Sequence, residues 1–225
     1  MRLCWFINQK IAKDMSLLTQ LVNLFFSQRR GEIDFFMQHP VRVQQQQLER
    51  LLTQAGGTVF GREHGFDKIR TSEAYAAAVP VADYDSFSEY IGRTRTGEQN
   101  VLWPTEIKWF AKSSGTTSAK SKFIPVSDEG LSGCHLRGPM DVVCFFAGLY
   151  PKSGVFGGRT LTLGGSHRLE STGGRAQEGD LSAILIENTP KWASWRRTPR
   201  PETALIPDFE EKVQAICREA VPQRV

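Results

Sequence analysis

Lys112-Ser113-Ser114-Gly115-Thr116-Thr117-Ser118-Ala119-Lys120-Ser121-Lys122 gathers six hydroxyls and three ammonium groups around one glycine. Polyphosphate binding needs this chemistry: small side chains let backbone N–H groups reach phosphate oxygens, hydroxyls add short donors, and lysines offset negative charge. Residues 107–112, IKWFAK, read as a strand. Residues 123–126, FIPV, read as a second one, whose proline suits a sheet edge because it has no N–H to give to a ladder. A polar loop joining two extended segments, in a chain otherwise rich in helical spacing, makes the fold class α/β, with helices around an incomplete sheet.

Composition alone leaves the loop open to a plainer reading, since Ser, Thr and Gly are ordinary turn formers. The chain contains neither GxxxxGK[ST] nor GxGxxG, so the helix-capping phosphate loop of P-loop nucleotide hydrolases and the dinucleotide fingerprint are both excluded.

Working outward, Leu17, Leu18, Leu21, Val22 and Phe25 recur at helical spacing from a possible second start at Met15, which makes residues 1–14 an extension. Pro40 suits a first helical turn, Leu48, Leu51 and Leu52 form a stripe, and Gly56-Gly57 ends the helix; the glutamines at 44–47 fall on its solvated face. Residues 71–78 predict a short helix before Pro80, and Asp85 is placed to cap another through Tyr90. Ser127 predicts a helix to about residue 147, broken or kinked by Pro139. Residues 160–163 read as a strand ending at Gly164-Gly165, residues 168–179 as an exposed polar loop, and residues 180–187 as a short helix. Asp208 and Glu211 have capping-box spacing for a last helix bearing Phe209, Val213 and Ile216.

The match to a known family begins at the loop and extends beyond it. Residues 100–127, NVLWPTEIKWFAKSSGTTSAKSKFIPVS, resemble the first nucleotide-binding motif of the auxin-responsive (GH-three) promoter family of acyl-acid amido synthetases, within the acyl-adenylate-forming superfamily. VPVADYDSFSEYI at 79–91, RTLTLGGSH at 159–167 and GDLSAILIENTP at 179–190 extend the resemblance in the same order. It implies that residues 15–225 are the N-terminal part of a large adenylating domain, ending at Val225 ahead of the family's later motifs and its small C-terminal domain.

The implied activity is ATP-dependent adenylation of a carboxylic acid, followed by acyl transfer to an amine or amino acid. The chain alone is expected not to complete it. The alternative is a noncatalytic nucleotide-binding or interaction fragment. By position, the resemblance assigns phosphate contact to Ser113, Ser114, Gly115, Thr116 and Thr117, and a basic role to Lys122. ATP and Mg2+ are the implied cofactors. No side chain receives a catalytic role.

Other features carry less. The formal charge of +4 is mild, so a polynucleotide partner is not expected, although residues 191–197, KWASWRR, mix cations with aromatics as a surface loop with packed indoles also would. Four scattered cysteines have neither metal nor disulfide spacing, and His39, His64, His135 and His167 share no metal-site spacing with them. With no signal-peptide core and no long apolar run, the expected location is a reducing one, the cytoplasm, away from membranes. His135 beside Cys134 lacks an orienting third group and reads as structural.

Overall fold

The computed structural model describes residues 17–113, 121–150, 158–165, 176–194 and 196–223. Helical periodicity at the start becomes α1, Leu17–Gln38, and α2, Pro40–Ala55, with Pro40 in the first turn and Gly56 after the last. On α2 the inward line runs through half-buried Leu48 and buried Leu52 and Ala55, a spacing of four then three, while the expected Leu51 points outward. Of the glutamine run, Gln44, Gln46 and Gln47 are solvated, and Gln45 donates to the Arg70 carbonyl at 2.9 Å.

Three short helices follow: α3 (Val59–Glu63), α4 (Ser72–Ala78) and α5 (Ser88–Arg95). Thr71 caps α4, its hydroxyl accepting from Ala74 N–H at 3.2 Å. The cap expected from Asp85 comes instead from Asp83, which accepts from the Ser86 backbone N–H at 3.0 Å and its hydroxyl at 2.8 Å. A 3-10 turn already begins at Asp85, so the unpaired N–H lies three residues beyond Asp83 rather than beyond Asp85.

Strand β1 (Trp109–Ser113) pairs antiparallel with β2 (Lys122–Val126). The helix expected from Ser127 is interrupted earlier than Pro139. Ser127 caps one turn, α6 (Asp128–Gly130), a π turn follows at Leu131–His135, and α7 (Arg137–Leu149) carries Pro139 inside its first turn. There the missing N–H is harmless, and the wider π turn takes up the misfit ahead of the proline ring.

Strand β3 is Thr160–Leu161, shorter than expected, and β4 is Gln177–Gly179. The exposed loop expected through residue 179 is corrected in its last part, where Glu178 and Gly179 are buried and lie in the sheet; residues 168–175 lie outside the described residues. Next come α8 (Leu181–Glu187), α9 (Lys191–Ser194), β5 (Arg197–Thr198, parallel to β3), α10 (Pro201–Ala204) and α11 (Phe209–Ala220). Asp208 caps α11 through Glu211 N–H at 2.8 Å. Of its expected stripe only Ile216 is buried; Phe209 and Val213 face outward, and Lys212 takes the inner side.

The main sheet has the order β2-β1-β4, so the proline strand is indeed an edge and β1 is central. Trp109, Phe110 and Ala111 are buried in succession, the pattern of a strand covered on both faces. Phe110, fully buried, packs on Ile91, Ile107 and Ala176, with Tyr84, Phe87 and Phe123 around them. Trp109, Ala111 and Val126 meet Leu131 and Ile184 on the opposite face. The result is an α/β layer arrangement with α5 on one side and α8 on the other.

Away from the sheet, α1 packs on α7. Phe26, Ile33, Cys144 and Ala147 are buried, the Cys144 thiol lies 3.8 Å from the Phe26 carbonyl oxygen, and Arg29 makes two 2.7 Å hydrogen bonds to the Asp141 carboxylate. That guanidinium holds the Asp141 carboxyl below its usual range. A depressed folded pKa means that the pair's stabilisation is complete above the unfolded carboxylate pKa of about 4 and is lost as pH falls through the lower folded value. Thermal melts of the wild type and Asp141→Asn should therefore differ by about 1 kcal/mol or less near neutrality, and should converge in acid. A gap unchanged between pH 7 and pH 2 would contradict this assignment.

Candidate nucleotide-binding site

Strand pairing closes the loop. Ser113, the last residue of β1, is the register partner of Lys122, the first of β2, so the eight intervening residues leave and return at one point. Ser113 is exposed and Lys122 half-buried, its ammonium 5.4 Å from the centre of the Tyr84 ring. Tyr84 also fastens β2, since its hydroxyl accepts from Phe123 N–H at 2.8 Å and donates to Phe123 C=O at 3.3 Å. The structure thus brings Ser113 and Lys122 together at the mouth of the loop. Ser114, Gly115, Thr116 and Thr117 lie outside the described residues, as does Lys120.

The mouth sits at a chemically favourable edge. Strands β1 and β4 are parallel, Ala111 opposite Gly179, so their carboxyl ends point the same way. In open α/β sheets ligands gather beyond the carboxyl ends of parallel strands, where backbone groups have left the ladder. Ser113 lies two residues past Ala111 and Asp180 one past Gly179, which puts the two residues on the order of 10 Å apart or less.

A second arginine braces the base of this edge. Arg95 of α5 donates through Nε to Glu178 Oε1 at 2.8 Å, while its guanidinium carbon sits 3.7 Å from the centre of the Phe123 ring. Glu178 is only 6% exposed. One side chain therefore spans β2 and β4 across Phe110 of β1, joining a charge-assisted bond to cation–π stacking.

Gly164 and Gly165, at the end of the strand read from residue 160, reach the same edge. Gly165 N–H donates to Ser182 Oγ at 2.9 Å, and a Cβ built on Gly165 would fall 2.0 Å from Asp180 Oδ2. Lys212 Nζ donates to the Gly164 carbonyl at 3.2 Å and the Gly165 carbonyl at 3.3 Å. Asp180, Ser182 and Lys212 were missed as site residues by sequence reasoning; the Gly-Gly pair was the one local signal, and as a strand end it said nothing of its neighbours. Ser166 and His167 lie outside the described residues.

Elsewhere, Cys134 is exposed and His135 half-buried, and no hydrogen bond joins them among the described residues. The described residues contain no group of three His, Cys, Asp or Glu side chains able to hold a metal, and no helix long and apolar enough to cross a membrane. A cavity of about 880 Å³ opens between α1, α2 and α7, lined by Arg29, Glu32, Phe35, Phe36 and Asp141, but none of the loop or Gly-Gly residues borders it.

The jasmonoyl-L-amino acid synthetase JAR6 of Nicotiana attenuata is 27% identical over 118 residues, 51% of this chain and 20% of that protein. The probable indole-3-acetic acid-amido synthetase GH3.12 of Oryza sativa subsp. japonica is 27% identical over 184 residues, 76% of this chain and 29% of that protein. Among solved structures, the GH3.15 acyl acid amido synthetase superposes with a TM-score of 0.60 at 19% identity, over 76% of this chain and 30% of its own; at that identity the likeness speaks for the fold alone. The matched part of this chain thus spans less than a third of each of these relatives. The family model of the GH3 family N-terminal domain matches residues 29–225, nearly the whole chain, and the protein therefore belongs to the GH3 family.

Proposed function

We propose that this chain is the nucleotide-binding front part of an ATP-dependent acyl-acid amido synthetase. The observation that carries the reading is the closure of the hydroxyl-rich loop between Ser113 and Lys122 at the shared carboxyl edge of parallel strands. In that reading Ser113, Ser114, Gly115, Thr116 and Thr117 offer amides and hydroxyls to the polyphosphate, and Lys122 offsets its charge. A carboxylic acid attacks the α-phosphate of ATP, pyrophosphate leaves, and an amine or amino acid then displaces AMP. Charge accumulates on phosphoryl oxygens, so oriented donors do most of the work. Mg2+ would accompany the nucleotide and help neutralise its phosphate charge, a role that needs few protein carboxylates.

Residues 15–225 are read as part of the adenylating domain, residues 1–14 as an extension, and the cytoplasm as the location. The matched region amounts to 29% and 30% of two of these relatives, which favours nucleotide binding without complete turnover by this chain. Titration with a fluorescent ATP analogue is expected to saturate, and Ser114→Ala combined with Thr116→Ala to weaken binding by about tenfold or more, the loss of two phosphate donors. Equal affinity in the double variant would dismiss the loop as the site. Pyrophosphate exchange is expected to be absent, and robust exchange would instead make the chain a complete catalyst.

A further inference from the structure

Lys212 is 8% exposed, and the only hydrogen bonds of its ammonium among the described residues go to two consecutive carbonyls, of Gly164 and Gly165. Removing an ammonium from water carries a large desolvation cost, which two bonds longer than 3 Å to neutral acceptors offset only in part. No carboxylate lies within ion-pair distance of it among the described residues. An uncharged side chain of similar length would fill this place at lower cost, so the charge itself has a task.

That task is visible in what the two carbonyls belong to. The Gly164–Gly165 bend is held from three elements: Lys212 of α11 grips its carbonyls, Ser182 of α8 accepts its amide proton, and Asp180 after β4 lies flat against Gly165. A larger residue at Gly165 would push Asp180 aside, because an added Cβ would sit 2.7 Å from both Cβ and Cγ of Asp180 as well as against its oxygen. Asp180 follows Gly179, the register partner of Ala111, two residues before the loop mouth at Ser113. The bend therefore stands at the carboxyl edge of β1 and β4, the edge at which β1 ends in Ser113.

We propose that Lys212 is a positioning residue for the polyphosphate site: by drawing two carbonyls onto one cation it fixes the bend and Asp180, and thereby the edge on which the loop closes, without touching the ligand. The proposal rests on the nucleotide reading above. Its test pairs amide hydrogen exchange at Gly165 with titration of the same fluorescent ATP analogue, on the wild type, Lys212→Met and Lys212→Arg.

Met keeps the length of the stem and removes the charge, so its melting temperature should stay near that of the wild type. Exchange at Gly165 should accelerate about tenfold or more, and affinity should fall about fivefold. Arg, which restores a cation, should recover part of both. Unaltered exchange at Gly165 in Lys212→Met overturns the grip, and accelerated exchange with undiminished affinity overturns the link to the site.

Should Lys212→Met not fold, the wild type alone decides: saturating analogue should slow exchange at Gly165, and exchange indifferent to bound analogue defeats the proposal. Absence of any binding by the wild type removes the nucleotide reading and this proposal with it. Normal binding with an indifferent Gly165 removes this proposal only.

Discussion

Arg95→Met is expected to lower the unfolding free energy by about 3 kcal/mol, because it strands a carboxylate in the sheet with no cation to pair with it. Glu178 is 6% exposed and accepts from Arg95 Nε at 2.8 Å, so water cannot simply replace the guanidinium. The arginine side chain itself is 27% exposed, which keeps the figure at the lower end of the range for broken buried pairs. Arg95→Met combined with Glu178→Met should recover most of the loss, since two apolar side chains of similar volume leave no charge to solvate. Urea unfolding of the two variants and the wild type measures both quantities. A single variant within about 1 kcal/mol of wild type would show the pair to be no stronger than a surface ion pair. The same substitution removes the cation stacked on Phe123, so β2, one of the two strands that hold the loop, should exchange its amides faster.

Gly61→Ala adds one methyl and is expected to cost about 3 kcal/mol or more, an overpacking penalty at a place with no room to relax. Its Cβ would sit 2.1 Å from the Ala55 carbonyl oxygen and 2.9 Å from its carbon, which are backbone atoms at the end of α2 and cannot rotate away. Moving α3 aside would break the caps that start it: Thr58 Oγ accepts from Gly61 N–H at 2.9 Å, and the Val59 and Phe60 amides donate to the carbonyls of Asn100 and Val101. Thr58 is fully buried and Val101 nearly so, hence the unpaired groups would not meet water. Gly92→Ala is the control. It lies within α5 with nothing within 4 Å of the added methyl, so the same change there should stabilise by about 0.5–1 kcal/mol through helix propensity. Thermal melts of the two variants side by side should move in opposite directions; a Gly61→Ala protein as stable as wild type would contradict the packing of α3 on α2.

Much of the fold was legible because its signals are local. Thr71, Ser127 and Asp208 each accept from an N–H three residues on, a relation contained in one turn of chain. Pro40 and Gly56 bracket α2 for the same reason. Misplaced features came from competition between neighbours: a 3-10 turn moved the cap from Asp85 to Asp83, and a π turn took the irregularity expected at Pro139. Strand β4 was missed because three residues, Gln-Glu-Gly, offer no periodicity and little β preference. Only pairing with β1 makes them a strand.

By itself the sequence determined the longer helices, the α/β class, the hydroxyl-rich loop between two strands and the resemblance that the family match then bore out. It could do so because caps, turn residues and strand alternation act within a few residues of each other. Tertiary structure alone decided that Glu178 would be buried under Arg95, 83 residues away, and that Lys212 would close on glycines 47 and 48 residues before it. Such contacts depend on how distant segments are stacked on one sheet. No local property of an arginine, a lysine or a pair of glycines encodes the partner that the folded chain sets against it.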